Sequence, residues 1–123
     1  MPEILQTIPL VRIFDEEKAR EYYCDWLGFS VDWEHRFEPH LPLYMQISLG
    51  NLTLHLSGHA GDCTPGSSAF IRCRGLREWQ EKLVSKNKPY FRAEINDAFW
   101  GGICMYLTDP FGNKLLFSEQ EPV

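Results

Sequence analysis

The chain repeats its own grammar. Strand, helix and three strands can be read over residues 4–57, and the same five-element order returns over 68–119, an offset of about 60 residues. Short matches support the repeat: Arg12-Ile13 against Arg72-Cys73, and Gly50-Asn51-x-x-Leu54 against Gly112-Asn113-x-x-Leu116. Such a chain is constrained to α+β architecture, two βαβββ modules in one domain covering residues 1–123.

In the first module, residues 4–14 are β-branched and apolar and read as a strand, in which Pro9 requires an edge, a bulge or a hinge. Asp15 is placed to cap a helix over Glu16–Leu27. Acids fill its first turn, Ala19, Tyr22, Tyr23, Trp26 and Leu27 recur at helical spacing, and Gly28 ends it. Phe29–Phe37 alternates as a strand, Glu38–Pro42 is a loop, and Leu43–Leu49 is a strand. Gly50-Asn51 is a type I′ hairpin signal, after which Leu52, Leu54 and Leu56 alternate with Thr53, His55 and Ser57. If the leucines pack on the helices, Thr53, His55 and Ser57 point into a cavity.

Gly58–Ser67 is rich in turn formers and joins the modules. Ser68–Arg74 then reads as a strand, with Ser68, Phe70 and Arg72 on the cavity side; Arg72 is equally readable as a salt-bridged structural residue. Leu76–Lys86 is a helix with Leu76, Trp79, Leu83 and Val84 on one face, and Tyr90–Ile95 is a strand. The stretch Phe99–Phe117 is a hairpin whose turn holds Asp109, Pro110, Gly112 and Asn113.

Composition removes several function classes. The net charge of −5 opposes phosphate and nucleic-acid binding and mildly favours a cationic partner, although it also serves solubility. The four cysteines form no C-x-x-C pair, no apolar run approaches the ~18 residues of a membrane span, and no leader-like segment opens the chain. Reduced thiols in a cytoplasmic protein are the expectation. There is no P-loop, no G-x-G-x-x-G and no G-x-S-x-G elbow.

Aromatic residues are abundant: four Trp, five Tyr and eight Phe. Trp26 and Trp79 fall on apolar helix faces and belong to packing. Trp33, Phe37 and Trp100 flank prolines, glycines or charges and are candidates for a stacking surface, with Asp32, Glu34, Glu38, Glu94 and Asp97 as nearby acids that would attract a planar cation.

The helix carrying Tyr22-Tyr23, the Leu27-Gly28-Phe29 that follows it, and Asp109-Pro110-x-Gly112-Asn113 near the end resemble the vicinal oxygen chelate superfamily of glyoxalase I, extradiol dioxygenases and bleomycin-resistance proteins. The resemblance implies that each module curls into a partial barrel around a concave cavity. It also implies four metal-ligand positions, which fall on Ile8, His55, Ser68 and Leu116. Only His55 is a donor, and a divalent cation needs about three.

Pro9, Arg74-Gly75-Leu76 and Trp100-Gly101 are similar to the metal-free bleomycin-resistance branch. That branch implies a non-catalytic homodimer that sequesters a cationic glycopeptide in clefts at the subunit interface, without cofactor. On this reading the ligand is held by Trp33, Phe37, Thr53, His55, Ser57, Ser68, Phe70, Arg72, Trp100 and Gly101. The alternatives are a metal-dependent enzyme of the same superfamily, using His55 with Glu119 or a loop histidine, and a binding module for another small molecule.

Overall fold

The computed structural model describes residues 1–88 and 91–120. The expected order of elements is present in both halves. The first module comprises β1 (Leu10–Arg12), a helix (α1, Glu16–Ala19, continuing as a π-helical segment over Arg20–Trp26), β2 (Ser30–His35), β3 (Tyr44–Leu49) and β4 (Leu52–Ser57). The second comprises β5 (Ser68–Arg72), α2 (Leu76–Ser85), β6 (Ile95–Asp97), β7 (Ile103–Thr108) and β8 (Lys114–Glu119). Each makes an open four-stranded sheet, in the orders β1-β4-β3-β2 and β5-β8-β7-β6. The outer pair is parallel (β1 with β4, β5 with β8) and the others are antiparallel.

One apolar core serves both modules. Val11, Met45, Ile47, Leu54 and Leu56 of the first sheet and Met105, Leu107, Leu115 and Phe117 of the second are buried in a single cluster with Tyr22, Tyr23, Trp26, Leu76 and Leu83 of the helices. Because strand side chains alternate, the same packing turns the intervening residues to the opposite, open face of each sheet.

The local chemistry follows the sequence at most helix ends. Asp15 accepts a hydrogen bond from Lys18 N at 2.9 Å and caps α1. Gly28 ends the helical run with φ +94°. The segment's π-helical turns were not legible, since apolar spacing does not separate them from α. Trp26 lies in the core and donates Nε1 to Leu83 O at 3.1 Å, tying the first helix to the second. At α2, Glu119 accepts from Gly75 N and Leu76 N, so a carboxylate of β8 satisfies the helix start.

Several expectations are corrected. Only Leu10–Arg12 of residues 4–14 is a strand; Ile4 and Leu5 are exposed, and Pro9 contributes its carbonyl to His55 N at 3.0 Å. Gly50 alone takes a positive φ (+58°), so the β3–β4 turn is not type I′, which needs two such residues, and has the pattern of type II′. Val84 is exposed, not inward, because the inward stripe of α2 is narrow. The strand expected over Tyr90–Ile95 starts at Ile95, and Tyr90 lies outside the described residues. Strand β2 does not alternate: its register shifts between Val31 and Trp33 at a β-bulge.

Candidate functional site

The two open faces carry most of the residues picked out by sequence, in two separate groups. On the first sheet, Tyr44, Gln46 and Ser48 of β3 lie beside His55 of β4, because Gln46 stands directly opposite His55 in the antiparallel register. The bulge in β2 adds two consecutive residues, Asp32 and Trp33, to this same face. In a regular strand they would point to opposite sides.

These side chains form one hydrogen-bonded line. Ser48 Oγ and Gln46 Nε2 donate to the two oxygens of Asp32 at 2.9 and 3.0 Å. Gln46 Oε1 lies 3.0 Å from His55 Nε2, and His55 Nδ1 lies 2.6 Å from Tyr44 Oη. A carboxylate only accepts, so Gln46 must offer it the amide nitrogen and keep its oxygen for the histidine. His55 therefore carries its proton on Nε2, and Tyr44 donates to the bare Nδ1. Burial lowers the His55 pKa and raises that of Tyr44, which favours the neutral imidazole and the intact phenol that this line requires.

Trp33 covers the line from one side. Its ring is 42 % exposed, lies nearly parallel to Tyr44 at 6.0 Å between centroids and meets His55 edge-on at 5.3 Å. Phe37 is placed elsewhere, beyond the end of β2, where it packs edge-on against His35 and His59. Thr53 Oγ1 accepts from Gln6 Nε2.

Ser57 is a correction to the expected cavity lining. It is fully buried, donates to Asp62 Oδ2 at 2.6 Å and accepts from His59 N, so the loop after β4 has closed over it. Among the acids expected to attract a cation, Glu34 is paired with Arg20, and Glu38 lies 3.4 Å from the exposed His40 ring.

On the second sheet, Ser68, Phe70 and Arg72 of β5 are exposed on the open face. Phe70 is half exposed and lies 5.6 Å from Trp100, while the Arg72 guanidinium sits over the Phe70 ring at 5.5 Å. The salt-bridged alternative for Arg72 thus gives way to a cation–π contact. Trp100 is pinned by its Nε1 donating to Ser118 Oγ at 2.9 Å, and Phe99 beside it is almost wholly exposed. Gly101 has φ +106°, a left-handed turn that brings Trp100 back over β8.

The positions implied as metal ligands do not converge on a donor set. His55 has both ring nitrogens engaged, Leu116 lies opposite Phe70 on the other sheet, and Glu119 is occupied at the start of α2. Among the described residues no three His, Cys, Asp or Glu side chains gather into a possible cation site. No described helix is long and apolar enough to cross a membrane.

A sizeable cavity lies elsewhere, between the modules. It holds about 650 Å³ and is lined by Leu49, Leu52, Ile71, Arg72, Cys73, Trp79 and Phe117, among others. The open-face residues missed from sequence are Tyr44, Gln46, Ser48 and Ser118. The i, i+2 alternation of β3 and β8 could have found them, but no periodic pattern could have placed Asp32 beside Trp33.

A family model described as "Glyoxalase superfamily protein" matches residues 3–122. No curated protein matches the sequence. Among solved structures, a bleomycin-binding protein complexed with bleomycin is 23 % identical at TM-score 0.73, covering 96 % of this chain and 100 % of that one. A bleomycin resistance determinant encoded on transposon Tn5 is 22 % identical at TM-score 0.74, with 97 % and 100 % covered. TnmS3, an antibiotic binding protein from Streptomyces sp. CB03234, is 17 % identical at TM-score 0.72, with 98 % and 100 % covered. At such identities the likeness is one of fold.

Proposed function

The chain belongs to the glyoxalase superfamily, and on that footing we propose that it is a non-catalytic, metal-free binding protein that sequesters a cationic glycopeptide antibiotic of the bleomycin type. The observation that carries the reading is the pair of open sheet faces, each presenting an exposed aromatic ring on a polar ground: Trp33 over Tyr44 and His55, and Phe70 against Trp100. Exposed rings held in place by neighbours offer stacking area with little further ordering on binding.

Among the described residues, the hydrogen bonds and ring contacts of these two groups stay within each group. A homodimer in which the first sheet of one copy faces the second sheet of the other would assemble them into two clefts. The net charge of −5 and the unneutralised Asp32 suit a cationic ligand. A catalytic alternative finds neither His55 nitrogen free, since Nε2–H is held by Gln46 and Nδ1 by the Tyr44 hydroxyl, a phenol of raised pKa. The reading places the protein in the cytoplasm, in keeping with its four free cysteines.

Titration with bleomycin, followed by tryptophan fluorescence, tests the proposal. Saturable quenching at micromolar drug, at one drug per chain, is expected. Absence of binding there, or stoichiometric Ni, Zn, Mn or Fe that is lost on His55→Ala, would overturn it in favour of another ligand or of an enzyme.

A further inference from the structure

We propose that Asp32 is a positioning residue that, acting through Gln46 and His55, turns the Tyr44 hydroxyl into a hydrogen-bond acceptor toward the ligand and so makes this half-site select planar N–H donors such as amidinium or guanidinium groups. The inference rests on the reading of this face as part of a ligand cleft. It adds which atom of the ligand the face accepts and which residues set that polarity.

The bulge is the first support. It spends an extra residue in β2 to put a carboxylate and an indole side by side on the open face, in a strand that is exposed along its whole length and gains no core packing from the distortion. The second is the direction of the line. Asp32 has no cation within ion-pair distance among the described residues, and it takes Gln46 Nε2 and Ser48 Oγ as donors. That fixes the amide of Gln46, the amide fixes Nε2–H on His55, and the bare Nδ1 takes the only proton of Tyr44 at 2.6 Å. What remains of the Tyr44 oxygen is its lone pairs.

A ligand stacked on the exposed side of Trp33 therefore meets the Tyr44 oxygen as an acceptor. An N–H donor is satisfied there, and a carboxylate or carbonyl is not. A planar cation combines the stacking with the donors.

The groups facing this line are Asp32 from β2, Gln46 and Ser48 from β3, and Leu10 opposite His55 on β1. Asp62 and Cys63 act on Tyr44 from the loop after β4. Among the described residues, no cationic side chain hydrogen-bonds to this line.

The test uses the whole chain, long-range 15N spectra of the histidine rings, and benzamidine as a planar cationic probe. In the unaltered protein His55 should show protonated Nε2 and bare Nδ1, and benzamidine should shift the Trp33 indole signal saturably. Asp32→Ala frees the Gln46 amide to turn over, so His55 becomes a mixture of both tautomers and benzamidine binds roughly three- to tenfold more weakly. Tyr44→Phe weakens benzamidine to a similar extent with the His55 tautomer unchanged. Both variants are checked for an unaltered melting profile, and both sites lie outside the core.

An unchanged His55 tautomer in Asp32→Ala would overturn the proposal, as would full benzamidine affinity in Tyr44→Phe or no binding of benzamidine by the unaltered protein. Benzamidine binding with no bleomycin binding supports the proposal while ending the sequestration reading.

Discussion

Tyr23 and Asp109 lie 86 residues apart in the chain and meet at the buried junction of the two modules, where the tyrosine hydroxyl donates to Asp109 Oδ2 at 2.6 Å. The same carboxylate accepts from Phe111 N, Asn113 N and Asn113 Nδ2. Asn113 in turn donates to Arg12 O and accepts from Gly66 N and Ser67 N. The Asp-Pro-x-Gly-Asn turn is thus a clasp between modules. Burial pushes the Tyr23 hydroxyl far up, so it serves as a permanent donor.

Removing the clasp should cost stability and leave the open faces untouched. Asp109→Ala strands the Tyr23 hydroxyl and the Asn113 amide in a buried site, a loss of about 3 kcal/mol or more; Tyr23→Phe, which leaves the carboxylate three donors, should cost about 1–2 kcal/mol. Urea unfolding followed by tryptophan fluorescence measures both.

Gly102 should tolerate no side chain. Its φ is +74°, and a Cβ there would stand 2.2 Å from Glu119 O and 2.8 Å from the Gln120 Cα. Gly102→Ala must push β7 away from the end of β8, with an expected loss of more than about 2 kcal/mol. Gly101→Ala meets nothing closer than the Gln120 amide at 3.6 Å and pays mainly for its backbone, about 1–2 kcal/mol. Melting curves of the two variants should rank in that order.

Aromatic truncation should weaken drug binding without unfolding the protein. Trp33→Ala and Phe70→Ala remove exposed rings from the two faces, and each should raise the bleomycin Kd by roughly tenfold, the equivalent of about 1.4 kcal/mol. Phe37→Ala, whose ring packs on His35 and His59 beyond the end of the sheet, should change it much less. Calorimetric titration separates the two classes.

Acid should weaken both fold and binding through His55. Its folded pKa is lowered from 6.5 by burial, so the unfolded chain binds the proton more readily. The stabilising contribution is complete above pH 6.5 and is lost as pH falls toward the folded value. Protonated His55 donates from both nitrogens and reverses the Tyr44 hydroxyl, which then presents its own proton to the ligand. The drop in drug affinity over this window should be absent in His55→Gln, measured at matched ionic strength.

How much of this the sequence determined can be seen element by element. The duplication fixed two βαβββ modules, Asp15 and Gly28 bounded the first helical run, and the leucine alternation of β4 assigned His55 to the open face. These signals are local: each rests on residues within one or two turns of helix or within one strand. The open-face parity of His55 and Phe70 was legible for the same reason.

Only the tertiary structure decided the rest. Ser57 has the same parity as His55, yet the loop carrying Asp62 buries it. Trp100 reads as a ring beside glycines, and its place over β8 depends on Ser118. The Asp-Pro-x-Gly-Asn turn announces a hairpin, but its work as a clasp needs Tyr23 and Arg12 from the other module. Above all, Asp32 reaches the open face through a bulge, and a bulge is set by how β2 pairs with β3, not by the period of β2 itself. Periodicity determines which way a regular strand faces. Where the chain departs from regularity to make a site, only its neighbours in space decide.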